Sequence, residues 1–170
     1  VGKLKNLSPH QIGTLMKISP VLSDLNHQRF QEWSSPFSLD NSKQAALSFT
    51  GEVYRGLNAN TMTKEELNFA QSHLRILSGL YGIIKPLDLI QPYRLEMGSR
   101  FLVTKEIKNL YAYWQEKITA SLKADLDGQP LVNLASLEYS KAVKLKELDT
   151  NIVTPAFKEF KNGEYKTIMT

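Results

Sequence analysis

Cysteine is absent from the 170 residues. That excludes disulfides, thiolate nucleophiles, zinc fingers and cysteine-ligated iron–sulfur clusters, and it suits a reducing compartment. Histidine is scarce: His10, His27 and His73 stand far apart, without the close spacing of paired metal ligands. No metal and no cofactor is therefore expected. No apolar run reaches the length that a bilayer requires, so no membrane partner is expected either. The sequence has no Gly-x-Ser-x-Gly elbow and no dinucleotide-binding glycine fingerprint. Gly51 and Gly56 have the spacing of a phosphate loop, but Leu57 and Asn58 stand where Lys and Ser or Thr must follow. The charge excess is small, 21 Lys+Arg against 17 Asp+Glu for a net +4, which permits an anionic partner without demanding one.

What is present is an ordinary globular composition: 42% hydrophobic and 22% charged residues, with 9 Gly and 7 Pro. That excludes collagen-like and wholly disordered chains, and the length suits one domain with a sizeable core. Residues 1–170 are read as a single α+β domain. The chain opens on Val1 without Met, and a strand runs to its C-terminal end. It is accordingly expected to be a piece of a longer chain, short of segments at both ends.

Helix signals punctuate the first two thirds. Ser8, Pro9 and Gln11 have capping-box spacing ahead of Ile12, Leu15 and Met16, and Ser19-Pro20 repeats the start signal ahead of Leu22, Leu25 and Trp33. Asp40 is placed to cap a third helix through Ala45, Ala46 and Phe49 that Gly51 ends. Thr63 and Glu66 form a capping box for a helix with Leu67, Ala70, Leu74 and Leu77 on one face, stopped by Gly79. Thr104 opens the longest helix, with Ile107, Tyr111, Trp114, Ile118 and Leu122 as its stripe and Asp127-Gly128 as its end. Pro130 to Asn133 is a short strand, Ser136 caps a brief helix through Tyr139, and Asn162-Gly163 turns a closing hairpin that runs through Met169 and Thr170. The expected fold is α+β and helix-rich, with a small β-sheet that includes this C-terminal hairpin.

The net positive charge gathers in one central segment, where Arg75, Lys85, Arg94, Arg100, Lys105 and Lys108 face Asp88, Glu96 and Glu106. Within it, a helix ending at Gly79, a turn holding Gly79 and Gly82, and a second helix starting at Lys85-Pro86 have the layout of a helix-hairpin-helix. Such an element grips nucleic-acid backbone, because glycines bring bare N–H groups near a phosphate and the second helix offers its positive dipole end. Arg75 and Lys85 add charge, and Tyr81 can pack on a sugar. Binding of this kind is nonspecific and salt-sensitive. The same residues also fit a helical corner packed in the core, its glycines serving only the turn.

Two other phrases carry polar chemistry. If Gln91 to Gly98 is extended, Tyr93, Leu95 and Met97 face one side and Arg94 and Glu96 the other. The pair is either a solvated ion pair or part of a polar cleft. Asn133 to Ser136 joins a strand to a helix, either as an ordinary cap or as an anion site beside Glu138 and Tyr139. In the enzyme reading Tyr93, Arg94, Glu96, Asn133 and Ser136 converge on a nucleotide or other small anionic substrate. A scaffold with a protein partner is the third reading.

The phrases GEVYRGL (Gly51–Leu57), HLRILSGLYGIIKPLDLIQPYRLEMG (His73–Gly98) and NLASLEY (Asn133–Tyr139) resemble, in this order, the bacterial peroxide stress protein YaaA family. The resemblance implies a cytoplasmic protein that supports resistance to hydrogen peroxide by keeping unincorporated iron low, which limits Fenton damage to DNA. It also implies a helix-hairpin-helix with an attached positive cleft for DNA. The carry-over falls on Gly79, Tyr81, Gly82 and Lys85 and extends to Arg94. Family members normally have a strand segment before this region and a Lys- and Arg-rich stretch after it. Without cysteine or clustered histidine, the chain itself does not read as an iron store or chelator.

Overall fold

The computed structural model describes residues 1–168. Three helices open the chain: α1 (Gly2–Lys5), α2 (Pro9–Met16) and α3 (Pro20–Glu32). Ser8 Oγ accepts the Gln11 N–H, and Gln11 Oε1 accepts the Ser8 N–H, a reciprocal cap for α2. Ser19 caps α3 through the Leu22 N–H. From these helices Leu4, Ile12, Met16 and Phe30 enter the main core, where they meet Leu95, Met97, Ile118, Leu122 and Leu148.

The helix expected from Asp40 is broken into pieces. Lys43–Gln44 is a strand, β1, followed by α4 (Ala45–Ser48) and α5 (Glu52–Leu57). The Ala46 and Ala45 N–H groups bind the carbonyls of Pro86 and Asp88, each at 2.9 Å. These long-range bonds fix the start of α4 in place of an Asp40 cap.

The central segment departs most from expectation. α6 (Lys64–His73) opens on the Thr63–Glu66 capping box but ends at His73, ahead of Gly79. Leu74 is already extended (φ −97°, ψ 140°). The Arg75 guanidinium donates to the carbonyls of Gln71, Ser72 and Leu74 and pairs with Asp125 at 2.6 Å, which closes the helix end. Next come β2 (Ile76–Ser78) and β3 (Gly82–Ile84), an antiparallel hairpin with Ile76 opposite Ile84. The expected helix-hairpin-helix is thus a β-hairpin. Its β-branched isoleucines suit a pleated surface better than a continued helix. The second helix expected from Lys85 is a turn: Asp88 Oδ2 accepts the Lys85 N–H at 2.8 Å, and the chain passes into β4 (Leu89–Ile90), which pairs with β1.

The two glycines of the hairpin have a packing role. Gly82 has φ +78°, and a Cβ there would sit 2.6 Å from the Trp114 ring. A Cβ on Gly79 would run into the Leu95 carbonyl, and the Gly79 carbonyl accepts the Trp114 Nε1–H at 2.9 Å. Trp114 belongs to α7 (Leu110–Leu126), the longest helix, which Asn109 caps through the Ala112 N–H. Thr104 does not open it; its hydroxyl closes a local turn by accepting from Glu106 and Ile107 N–H groups.

Asp127 (φ 43°) and Gly128 (φ 76°) end α7. β5 (Leu131–Val132) then pairs in parallel with β6 (Ile152–Val153), with α8 (Leu137–Ser140) between them in sequence. The closing hairpin is β7 (Lys158–Lys161) and β8 (Glu164–Thr167). Asn162 and Gly163 both have positive φ, as a two-residue hairpin turn of this kind requires. Met169 and Thr170 lie outside the described residues. The fold is mixed α and β, rich in helix, with small sheets that include the C-terminal hairpin.

Candidate functional site

Past β4 the chain stays extended, and its side chains alternate. Tyr93 is half-buried, Leu95 and Met97 are buried, and Arg94 and Glu96 are exposed. This run forms one wall of a cleft of about 740 Å³. β1, α4 and the two residues after it supply further walls with Lys43, Ser48, Phe49 and Thr50; α3 brings Arg29, and α8 brings Tyr139. Three cations from three parts of the chain, Arg29, Lys43 and Arg94, thus line the cleft together with one acid, Glu96, which accepts from Arg94 Nη2 at 2.8 Å. Phe49, Tyr93 and Tyr139 give the cleft aromatic surface.

The phenols around the cleft are held in their protonated form. Burial pushes Tyr139 up to about 12, with the Glu138 and Glu96 charges adding to the effect. Burial likewise pushes Tyr54 up to about 12. Burial raises Tyr93 as well, against a lowering hydrogen bond from Ser78. At neutral pH these groups are hydrogen-bond donors rather than bases or nucleophiles. The arrangement is equipped to hold an anion beside an aromatic or apolar body.

The hairpin residues are engaged elsewhere. Gly79 and Gly82 are buried. The turn amides of Leu80 and Tyr81 donate to Ser78 Oγ at 3.2 and 2.9 Å, so they are already satisfied within the protein. Tyr81 Oη accepts from the Gln91 N–H at 3.1 Å and from Trp33 Nε1 at 3.2 Å. Arg75 is committed to Asp125 and the end of α6, and its hydrogen bond, with Lys85 contributing charge, holds the Asp125 carboxyl below its ordinary range. Of the cations expected around the hairpin, Arg94 alone lines the cleft, together with Tyr93 and Glu96.

The Asn133–Ser136 junction does not line the cleft. Asn133 Oδ1 accepts the Ala135 N–H at 3.2 Å in a local turn, and Ser136 precedes α8 without a side-chain cap bond. That phrase reaches the cleft through Tyr139 instead. Arg29, Lys43 and Phe49 carry no local motif. Lys43 is placed by the pairing of β1 with β4 and Arg29 by α3, and neither placement can be read without the fold. Among the described residues, no group of three or more His, Asp or Glu side chains is placed to hold a metal ion, and no helix is long and apolar enough to cross a membrane.

Fold and cleft together define a class: a helix-rich α+β protein whose aromatic-walled cleft is lined by Arg29, Lys43 and Arg94. The particular family follows from comparison with known proteins. The chain matches the family described as peroxide stress protein YaaA over residues 1–170 and belongs to it. It is 57% identical over 168 residues to a UPF0246 protein of Pseudoalteromonas translucida, covering 96% of this chain and 64% of that one. A UPF0246 protein of Ralstonia nicotianae is 56% identical over 171 residues, covering 99% and 66%. A third, from Acaryochloris marina, is 56% identical over 169 residues, covering 99% and 67%. The chain therefore spans about two thirds of the length of these relatives.

Proposed function

We propose that the protein serves peroxide resistance by engaging DNA at the Arg29–Lys43–Arg94 cleft and so limits iron-dependent damage to it. The observation that carries this reading is the convergence of three cations from separate elements on aromatic walls. Lys and Arg side chains supply the phosphate contacts, and the aromatic rings offer a base a stacking surface. The volume suits about one nucleotide unit and not a duplex, so paired DNA meets the rim and an unpaired nucleotide enters.

The test is DNA affinity across a salt series, measured by fluorescence anisotropy with duplex and single-stranded oligonucleotides. Affinity is expected to fall linearly with salt on logarithmic axes, and Lys43→Glu should reduce that slope by roughly one. Lys85→Glu, away from the cleft, should leave affinity nearly unchanged. Undetectable binding at low salt refutes the proposal. The size of the cleft, about that of one nucleotide, also fits a second reading, a small nucleotide or other anionic substrate acted on there. A mononucleotide that binds more tightly than the same unit within an oligonucleotide selects it.

A further inference from the structure

A line of aromatic contacts leads out of the cleft. Tyr93 meets Tyr81 edge to face, with ring centroids 5.2 Å apart and planes at 86°. Tyr81 Oη accepts the Trp33 Nε1–H at 3.2 Å. Trp33 is half-buried at the C-terminal end of α3, and Ser34, Ser35 and Pro36 after it are exposed. Phenols and indoles release an electron to strong biological oxidants, and this chain has no thiol to do so instead.

We propose that Tyr93, Tyr81 and Trp33 form a one-electron relay that draws oxidising equivalents from the cleft to the surface at Trp33. A one-electron oxidant in the cleft takes an electron from Tyr93, whose phenol proton passes to water. Tyr81 re-reduces Tyr93, losing its own phenol proton to water as Tyr93 takes one back from water. Trp33 then re-reduces Tyr81, and its Nε1 proton passes along the Nε1–H···Oη bond to Tyr81 Oη. The net change is one electron gained by the oxidant, and one electron and one proton lost by Trp33, which is left as a neutral radical. A small thiol or ascorbate-type reductant restores Trp33 by hydrogen-atom donation. An oxidised purine of bound DNA is the oxidant that fits the cleft, and that identity alone rests on the DNA reading above.

The experiment needs no DNA, so its outcome is independent of that reading. The absence of cysteine makes Thr50→Cys, at the exposed cleft rim, a unique attachment point for a ruthenium photo-oxidant. Flash oxidation is followed by transient absorption and by electron paramagnetic resonance. In the labelled protein a tryptophanyl radical should form. Trp33→Phe should abolish it, and Tyr81→Phe should slow it by an order of magnitude or more, because the electron must then cross in one step the distance that Tyr81 divides. Tyr93→Phe should slow it likewise and serves in place of Tyr81→Phe if that variant fails to fold. A tryptophanyl signal that survives Trp33→Phe, a rate indifferent to the tyrosine variants, or no radical at all overturns the relay.

Discussion

Gly82→Ala isolates the role of the hairpin glycines. The added Cβ lies 2.6 Å from the Trp114 ring, at a backbone φ of +78°. Holding an L-residue in that left-handed conformation costs about 1–2 kcal/mol, and forcing an extra methyl into a packed contact costs roughly 1–3 kcal/mol. Together they predict a loss of about 2–5 kcal/mol, a large part of the ~5–15 kcal/mol that stabilises a domain. The assay is urea unfolding followed by Trp fluorescence, where the midpoint should drop at constant slope. Gly56→Ala is the control: its Cβ meets open space in α5, and the change should be neutral or stabilising by up to about 1 kcal/mol. DNA affinity of folded Gly82→Ala should match the parent. A shift below about 1 kcal/mol in Gly82→Ala, or a selective loss of DNA binding without loss of stability, refutes the packing argument and returns the glycines to a phosphate-binding role.

Arg75→Ala removes the Asp125 pair and three hydrogen bonds to the end of α6, which predicts a loss of about 2 kcal/mol near neutral pH. The pair holds Asp125 below its ordinary 3.8, so its contribution is complete above that pH and is lost as pH falls through the depressed folded value. The gap between parent and variant melting curves should therefore narrow in acid to the share held by the three carbonyl bonds; a gap that stays constant down to full protonation of Asp125 counts against the assignment. Asn26 is 1% exposed and its Oδ1 has no hydrogen-bond partner. Its Nδ2 donates to the Leu22 carbonyl at 2.8 Å, a bond that Asn26→Leu also removes, so the relief of the buried acceptor should leave a net gain of less than about 1 kcal/mol, measured by thermal denaturation. A lower melting temperature contradicts it.

Local chemistry was legible in the sequence where a few adjacent residues decide the outcome. Ser8, Ser19 and Thr63 cap helices as their spacing indicates, and Asn162-Gly163 turns a hairpin. The central segment misled because Leu74 and Leu77 continue the helical period of α6 and Gly79 stands where a helix stop belongs. What overrides that period lies elsewhere in the chain: Asp125, which anchors Arg75, and Trp114, which fills the space above Gly82. The cleft was half legible. Tyr93, Arg94 and Glu96 announce themselves as an alternating polar run, whereas Lys43 joins them through strand pairing and Arg29 from α3, which no nearby pattern encodes.

Gln91 is 4% exposed, and its side chain joins the run beside the cleft to the end of α3. Its Oε1 accepts the Ser34 N–H at 3.0 Å, and its Nε2 donates to the Ser34 carbonyl at 2.6 Å. A side-chain carboxamide is here imitating a neighbouring peptide group, offering one donor and one acceptor at backbone spacing, like a single rung of a ladder without a second strand. This rung ties the helix that carries Arg29 to the segment that carries Arg94. Only a residue with both functions at that reach can supply it: glutamate would set a carboxylate against the Ser34 carbonyl, and leucine would strand both peptide groups. One neutral amide, which touches neither arginine through a charge, thus joins the shared core of Phe30 and Leu95 in setting their mutual placement.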